Sequence, residues 1–323
     1  MLKHKLRKLI PSVLISIVII TVMFPLHEQF LLAKADENDS DFNVVAAGDF
    51  GCTPDSEKIF NMMKNMKPEL YLMLGDLTHE PTFDCWYNIV GSMRSSIKVT
   101  IGNHDVEGSG LQKLMKDFDM AKQYYSFDYH NTHLLSLSSE LGSDEDQVQF
   151  EFADADLAKA RSNTNTDWII VYFHRPPYSG TGSQNEGMRD TYHPLFQKYN
   201  VDLVLSGHAH NYERTYPLNY NKDRPGRPLI MNHQQSQYVN QPGTIFVVAG
   251  TGGMSIHGAD EKPYLASLYE GFGCLDLQIN GKSLNAEFYT ESGKTIDHFT
   301  IVKKLKADSG NVFHGVKYDN PLE

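Results

Sequence analysis

Two periodicities run along the chain. Short apolar runs rich in β-branched residues read as strands at Asn43–Ala47, Leu70–Leu74, Ile97–Ile101, Tyr124–Tyr129, Leu134–Ser138, Trp168–Phe173, Val201–Leu205, Thr244–Ala249, Cys274–Ile279, Ser283–Tyr289 and Thr295–Val302. Between the earlier runs, apolar positions return at helical spacing, which predicts helices at Asp55–Met66, Phe83–Met93, Gly110–Phe118, Gln147–Arg161 and Asp190–Tyr199. Strands alternate with helices first and follow one another last, with Asn280-Gly281 as a hairpin turn between two of the final runs. That order predicts an α/β fold in which a pair of mixed sheets carries helices on the outside.

The first thirty-five residues stand apart from this pattern. Lys3, Lys5, Arg7 and Lys8 precede an uncharged stretch from Leu9 to Leu26, and Ala33-Lys34-Ala35 has the small-x-small form of a cleavage site. Residues 1–35 therefore read as a secretory signal peptide, or as a membrane anchor if they stay uncleaved; either way the rest is exported. Residues 36–42 form an acidic linker, 43–303 one domain, and 304–323 a tail. Loss of residues 1–35 removes five positive charges and one negative, so the net charge moves from −11 to −15. An acidic chain without clustered Lys and Arg excludes a role in coating nucleic acid, while small phosphate substrates stay possible where a metal inverts the local field. Of the cysteines Cys52, Cys85 and Cys274, export permits one bond, for which Cys52 and Cys85 are the candidates; three unpaired thiols remain the alternative.

The chemistry gathers where strands end. Val201–Leu205 runs into Ser206-Gly207-His208-Ala209-His210-Asn211-Tyr212-Glu213-Arg214, and residues i and i+2 of an extended segment project to one side, so His208 and His210 can face one point. Upstream, Gly48-Asp49, Gly75-Asp76, Gly102-Asn103-His104-Asp105 and His174 each follow an apolar run. The carboxyl ends of strands are where open α/β sheets build their sites. Aspartate can bridge two cations, an amide oxygen is a hard neutral ligand, and imidazole suits transition metals. Such a mixture points to two transition-metal ions sharing a carboxylate, an arrangement suited to displacement at phosphorus.

These motifs resemble the calcineurin-like metallophosphoesterases and, within them, the purple acid phosphatases. Asn185-Glu186-Gly187-Met188-Arg189, Pro194-Leu195-Phe196 and Val248-Ala249-Gly250-Thr251-Gly252-Gly253 add to the resemblance, which spans about Asn43 to Val302. It implies a four-layer α/β/β/α sandwich, with no room for an additional amino-terminal β-domain of the plant type between Ala35 and Asp49. It puts Asp49, Asp76 and His210 on a first metal, with Asp76 bridging to a second held by Asn103, His174 and His208. The ions would be Fe, Mn or Zn. Asn103 and His104 would face the substrate phosphate, with His104 as a proton donor; an alternative leaves His104 hydrogen-bonded to Asp49 or a water.

The chain departs from the purple pattern at one position. Those enzymes carry tyrosine three residues after the bridging aspartate, where Asp76-Leu77-Thr78-His79 places His79. His79 would then be a ligand of the first metal, unless it is a loop histidine hydrogen-bonded near Pro81. The plant-type pair of histidines is missing from Pro177 to Glu186. Arg175, Tyr178, Arg189, Tyr212 and Arg214 are softer candidates for the substrate mouth, Arg214 equally for a buried partner of an acidic group, and Thr215–Gly243 reads as a long loop over the site. The expected activity is hydrolysis of small phosphomonoesters by a metal-activated hydroxide. A phosphodiesterase or nucleotidase on the same site, and a non-catalytic surface binding protein, are the alternatives.

Overall fold

The structure, a computed structural model, describes residues 41–107 and 110–304. The signal or anchor segment, most of the acidic linker and the tail beyond 304 lie outside the described residues. In chain order the elements are β1 (Phe42–Ala47), α1 (Pro54–Asn65), β2 (Leu70–Met73), α2 (Asp84–Val90), β3 (Ile97–Val99), α3 (Gly110–Asp117), β4 (Tyr125–Tyr129), β5 (Thr132–Ser136), α4 (Ser143–Ser162), β6 (Trp168–Tyr172) and α5 (Glu186–Tyr199). They continue as β7 (Leu203–Ser206), β8 (Tyr212–Thr215), β9 (Leu218–Asn219), β10 (Leu229–Ile230), β11 (Gln237–Val239), β12 (Ile245–Ala249), β13 (Leu265–Tyr269), β14 (Gly273–Asn280), β15 (Ser283–Thr290) and β16 (Thr295–Val302).

Two seven-stranded sheets result, ordered β11-β16-β15-β14-β1-β2-β3 and β13-β8-β12-β7-β6-β5-β4. β1, β2 and β3 run parallel in the first, and β5, β6, β7 and β12 in the second. The two-residue alternation of side chains builds the layers. Along β1, Val44 and Ala46 enter the core between the sheets with Leu72, Ile170 and Leu205, while Val45 and Ala47 face outward to Ile59, Phe60 and Trp86 of α1 and α2. On the far side, Val171 and Val204 meet Leu157 of α4 and Phe196 of α5. Strands covered on both faces read as unbroken apolar runs, which is why the pattern located them. The result is the four-layer α/β/β/α sandwich.

Local chemistry sets the element ends. Thr53 caps α1, its Oγ1 accepting from Ser56 N at 3.1 Å, and Pro54 opens the helix where no N–H is needed. Asn185 caps α5 by accepting from Met188 N at 2.9 Å, so that helix starts at Glu186, ahead of the expected Asp190. α4 also starts early, at Ser143, with Asp144, Glu145 and Asp146 in its first turn. The hairpin joining β14 to β15 pairs Asn280 with Ser283 and turns through Gly281-Lys282, Gly281 taking a φ of 51°.

The segment expected as a loop over the site, 215–243, is corrected by the structure. Leu218 pairs with Thr244 at the amino end of β12, β9 and β10 form a small hairpin, and β11 adds to the edge of the first sheet beside β16. Amide-rich composition concealed these short strands, whose register is set by distant partners.

Candidate active site

The parallel strands of both sheets deliver their carboxyl ends to one place, and every predicted site residue but His79, which lies further along the loop from Asp76, sits just beyond one of them. Asp49 follows β1, Asp76 follows β2, Asn103 and His104 follow β3, His174 follows β6, and His208 and His210 follow β7. Asp49, Asp76 and His208 adopt left-handed backbone, with φ of 62°, 48° and 67°. Such a conformation is unfavourable for a residue with a Cβ, and clusters of it mark sites whose surroundings hold the strain. Here main-chain bonds hold it: Asp49 N donates to Gly75 O at 3.1 Å, Phe50 N to Asp76 O at 2.9 Å, and Gly207 N to His174 O at 2.9 Å. Glycine is required around the carboxylates, since a Cβ on Gly102 would collide with Asp76 Oδ1 and one on Gly207 would lie 2.6 Å from Asp49 Oδ2.

The side chains converge in overlapping groups: Asp49, His79 and His210; Asp76, His174 and His208; and Asp76, His79 and His104, with the donor atoms of each group within 4.8 Å of one another. His210 Nε2 lies 3.3 Å from Asp49 Oδ1, and His174 Nε2 lies 3.2 Å from both Asp76 Oδ2 and Asn103 Oδ1. His79 Nε2 is 3.7 Å from Asp76 Oδ2, and its ring centre is 4.2 Å from that of His104. All eight residues singled out in the sequence therefore meet.

The donor set fits divalent or trivalent cations on three counts. Asp49 Oδ1 is buried and accepts no hydrogen bond, a costly state that a cation would relieve. His174 Nδ1 lies 2.9 Å from Leu74 O, His210 Nδ1 3.3 Å from Ser255 Oγ and His79 Nδ1 3.3 Å from Phe50 O, so each ring offers its Nε2 inward, as ligating histidines do. Oxygen and imidazole donors in this mixture suit transition metals.

Electrostatics follow from the same packing. Burial disfavours the charged carboxylate of Asp76, but the His174 charge and the His104 main-chain N–H, donating to Asp76 Oδ1 at 2.8 Å, hold it well below the usual range. Burial likewise opposes charge on His174, yet Asp76 outweighs it and lifts the imidazole to about 10. His208 goes the other way, to about 4, through burial and then the charges of His174 and Arg175. Burial also lowers His79.

Other residues take part that the sequence reading gave no role. Buried Asp105 ties two ligand loops together, accepting from Asp76 N at 2.9 Å, Leu77 N at 3.0 Å and Gly102 N at 2.8 Å. His257, in the loop after β12, stacks on His210 with ring centres 4.0 Å apart and donates its main-chain N–H to His210 O. Nothing near it in sequence signals this. Cys52 and Cys85, the candidate pair of the sequence, are disulfide-bonded, joining the loop after Asp49 to the first turn of α2, and Cys274 is the free, buried thiol.

Four of the softer candidates do not reach the mouth. Tyr178 is buried against His193, Arg189 pairs with Asp190, and Tyr212 and Arg214 both bond Asp297, Arg214 Nε at 2.6 Å. Arg175 does reach it, with Nη1 3.0 Å from His208 Nε2.

Comparison with known proteins bears on the family and the fold. Residues 40–212 match the family model described as calcineurin-like phosphoesterase. Purple acid phosphatase 21 of Arabidopsis thaliana is 28% identical over 212 residues, covering 58% of this chain and 48% of that protein. Purple acid phosphatase 22 of the same plant is 30% identical over 207 residues, covering 56% and 47%. The chain thus spans about half the length of these relatives. Among solved structures, a purple acid phosphatase from yellow lupin seeds superposes with a TM-score of 0.68 at 23% identity, covering 82% of this chain and 54% of the other.

Proposed function

Because the chain belongs to the calcineurin-like phosphoesterase family, we propose that it is a binuclear-metal phosphatase acting on small phosphomonoesters. The observation that carries this reading is the pair of ligand groups, Asp49-His79-His210 and Asp76-His174-His208, meeting within one site. In this reading Asp49, His79 and His210 would hold one cation and Asn103, His174 and His208 the other, with Asp76 serving both. A cation pair so held supplies Lewis acidity and acidifies water, which is the chemistry a phosphate ester needs.

The chain's own residues complete the reaction. Asn103 and His104 face the substrate phosphate. As water oxygen bonds to phosphorus and the bond to the ester oxygen breaks, His104 gives its proton to the departing alkoxide, so the products are an alcohol and inorganic phosphate. We also read the domain as exported, since residues 1–35 have the order of a signal peptide and the Cys52–Cys85 bond suits an oxidising compartment.

Metal analysis of the purified protein, with a panel of mono- and diesters, tests the reading. About two ions per chain and activity lost to chelator are expected, with both ions weakened in Asp76→Ala. His104→Ala should keep about two ions while kcat drops roughly 100-fold or more. Full occupancy in Asp76→Ala would refute the shared carboxylate, and an unchanged kcat would remove His104 from the chemistry.

A further inference from the structure

Of three arginines held by carboxylates, Arg214, Arg189 and Arg175, two are closed pairs and one is held differently. Arg214 turns both Nε and Nη2 to Asp297, at 2.6 and 2.8 Å, and spends Nη1 on Tyr238 Oη; its side chain is 2% exposed. Arg189 gives Nε and Nη2 to Asp190 and sets Nη1 3.6 Å from Glu186. These are closed, structural pairs. Arg175 gives Glu140 only its Nε, at 2.9 and 3.1 Å from the two carboxylate oxygens. Its Nη1 points at His208 Nε2, its Nη2 has no partner among the hydrogen bonds of the described residues, and the side chain is 30% exposed.

The aim is built in. Arg175 follows His174 at the end of β6, and its main-chain N–H donates to Ser139 Oγ at 3.0 Å, while Ser139 Oγ donates to Glu140 Oε1 at 2.8 Å. The Glu140 side chain is nearly buried, so the carboxylate is a fixed anchor at the end of the neighbouring strand β5. Each terminal nitrogen carries two N–H groups, so Nη2 and the N–H of Nη1 not directed at His208 leave a planar fork, the shape that matches two oxygens of a phosphoryl group.

We propose that Arg175 is a substrate-binding residue that takes two non-bridging oxygens of the phosphoryl group beside His208, that Glu140 positions it, and that the pair selects monoesters over diesters. This rests on the phosphatase reading above and narrows its substrate class. A monoester offers three non-bridging oxygens and up to two negative charges; a diester offers two oxygens and one charge, so engaging the fork leaves it none for the rest of the site.

The test uses the metal-loaded full chain and the variants Arg175→Gln, Arg175→Lys and Glu140→Gln. Nitrophenyl phosphate and bis(nitrophenyl) phosphate are the two substrates, and calorimetry with inorganic phosphate is a readout free of turnover. Arg175→Gln should raise the monoester KM and the phosphate Kd by roughly 10- to 100-fold, the loss of a charge-assisted pair of hydrogen bonds. The monoester-to-diester ratio of kcat/KM should fall by about 10-fold or more, with metal content unchanged. Arg175→Lys should recover part of the affinity, and Glu140→Gln should weaken it in the same direction with kcat nearly kept. An unchanged phosphate Kd, an unchanged selectivity ratio, or loss of metal from Arg175→Gln would each overturn the proposal. If the parent cleaves neither ester, the phosphatase reading fails, and the phosphate Kd of the variants alone decides whether Arg175 binds phosphoryl oxygens.

Discussion

His193 sets an acid limit on the fold, and replacing it with glutamine measures that limit. The ring lies on α5, fully buried, with Nδ1 2.8 Å from Tyr178 Oη and Nε2 3.3 Å from Leu218 O. The arrangement is satisfied by the neutral ring, Tyr178 donating to Nδ1 and Nε2–H donating to the carbonyl. Protonation would set N–H against O–H in a fully buried place, and burial accordingly lowers the imidazole from 6.5 to about 4. Between those values the unfolded chain binds a proton that the folded chain refuses. Stability is therefore fully present above pH 6.5, falls as the pH drops, and levels off below about 4. At 1.36 kcal/mol per unit, the loss from this one group is about 3 kcal/mol. That is a sizeable part of the 5–15 kcal/mol typical of a domain.

Glutamine reaches the same two partners and does not titrate. Urea midpoints of parent and His193→Gln, taken from pH 7 to pH 4 in chelator, isolate the effect because every other group titrates alike in both. The variant should start less stable at pH 7, by about 1–2 kcal/mol for imperfect packing, and then lose less than the parent on acidification. The two curves should converge or cross near pH 5. Parallel curves would show that His193 takes up its proton at the same pH in the folded and unfolded chain and refute the reasoning.

Three further outcomes are expected. Asp297→Ala strands the Arg214 guanidinium between the sheets and should cost about 3–5 kcal/mol in urea unfolding, whereas a cost under 1 kcal/mol would mean the charge finds water. Asp105→Ala leaves the N–H groups of Asp76, Leu77 and Gly102 without an acceptor, so stability should fall by about 3 kcal/mol or more, and metal competition assays should show both ions bound more weakly. His79→Ala should lower affinity at the Asp49-His210 position by roughly 10-fold or more, and His79→Tyr loaded with iron should gain a visible absorption that the parent lacks; a purple parent, or equal affinity in His79→Ala, would remove His79 from the ligand set.

What could be read from the sequence was whatever depends on neighbours along the chain. The strands that carry Asp49, Asp76, His174 and His208 are short, apolar and buried on both faces, so each declares itself and each ligand is recognised by following one. β8 was hidden for the opposite reason. Tyr212-Glu213-Arg214-Thr215 looks like a polar stretch, yet all four residues are buried, because Glu213 is satisfied by Ser179 and Gly180 and Arg214 by Asp297. Those partners lie on other elements, and nothing local announces them. As sequence, Arg175 and Arg214 were both candidates for the mouth, Arg214 equally for a buried partner of an acidic group; the number of nitrogens that each spends on its carboxylate separates an arginine that closes a core from one that is open to a ligand.

The backbone at Asp49, Asp76 and His208 was equally unreadable, and it bears most directly on how the site works. A side chain on a regular strand points perpendicular to the sheet, into a core or a helix layer, and so away from the gap beyond the strand ends where these groups meet. A left-handed residue just past the strand turns the chain sharply enough to bring the carboxylate or imidazole back over the sheet edge. The unfavourable φ costs of order 1–2 kcal/mol at each position. The bonds that hold it run between ligand loops: Asp49 N to Gly75 O, Phe50 N to Asp76 O, His208 N to Asp49 Oδ2 and His104 N to Asp76 Oδ1. No ligand can relax to a regular conformation without breaking a bond that positions another. The two carboxylates are thus held in place by the fold, and Asp49 Oδ1 stays buried there without a hydrogen bond. A cation held there would relieve that cost, so chelator should lower the stability of the whole domain as well as any activity.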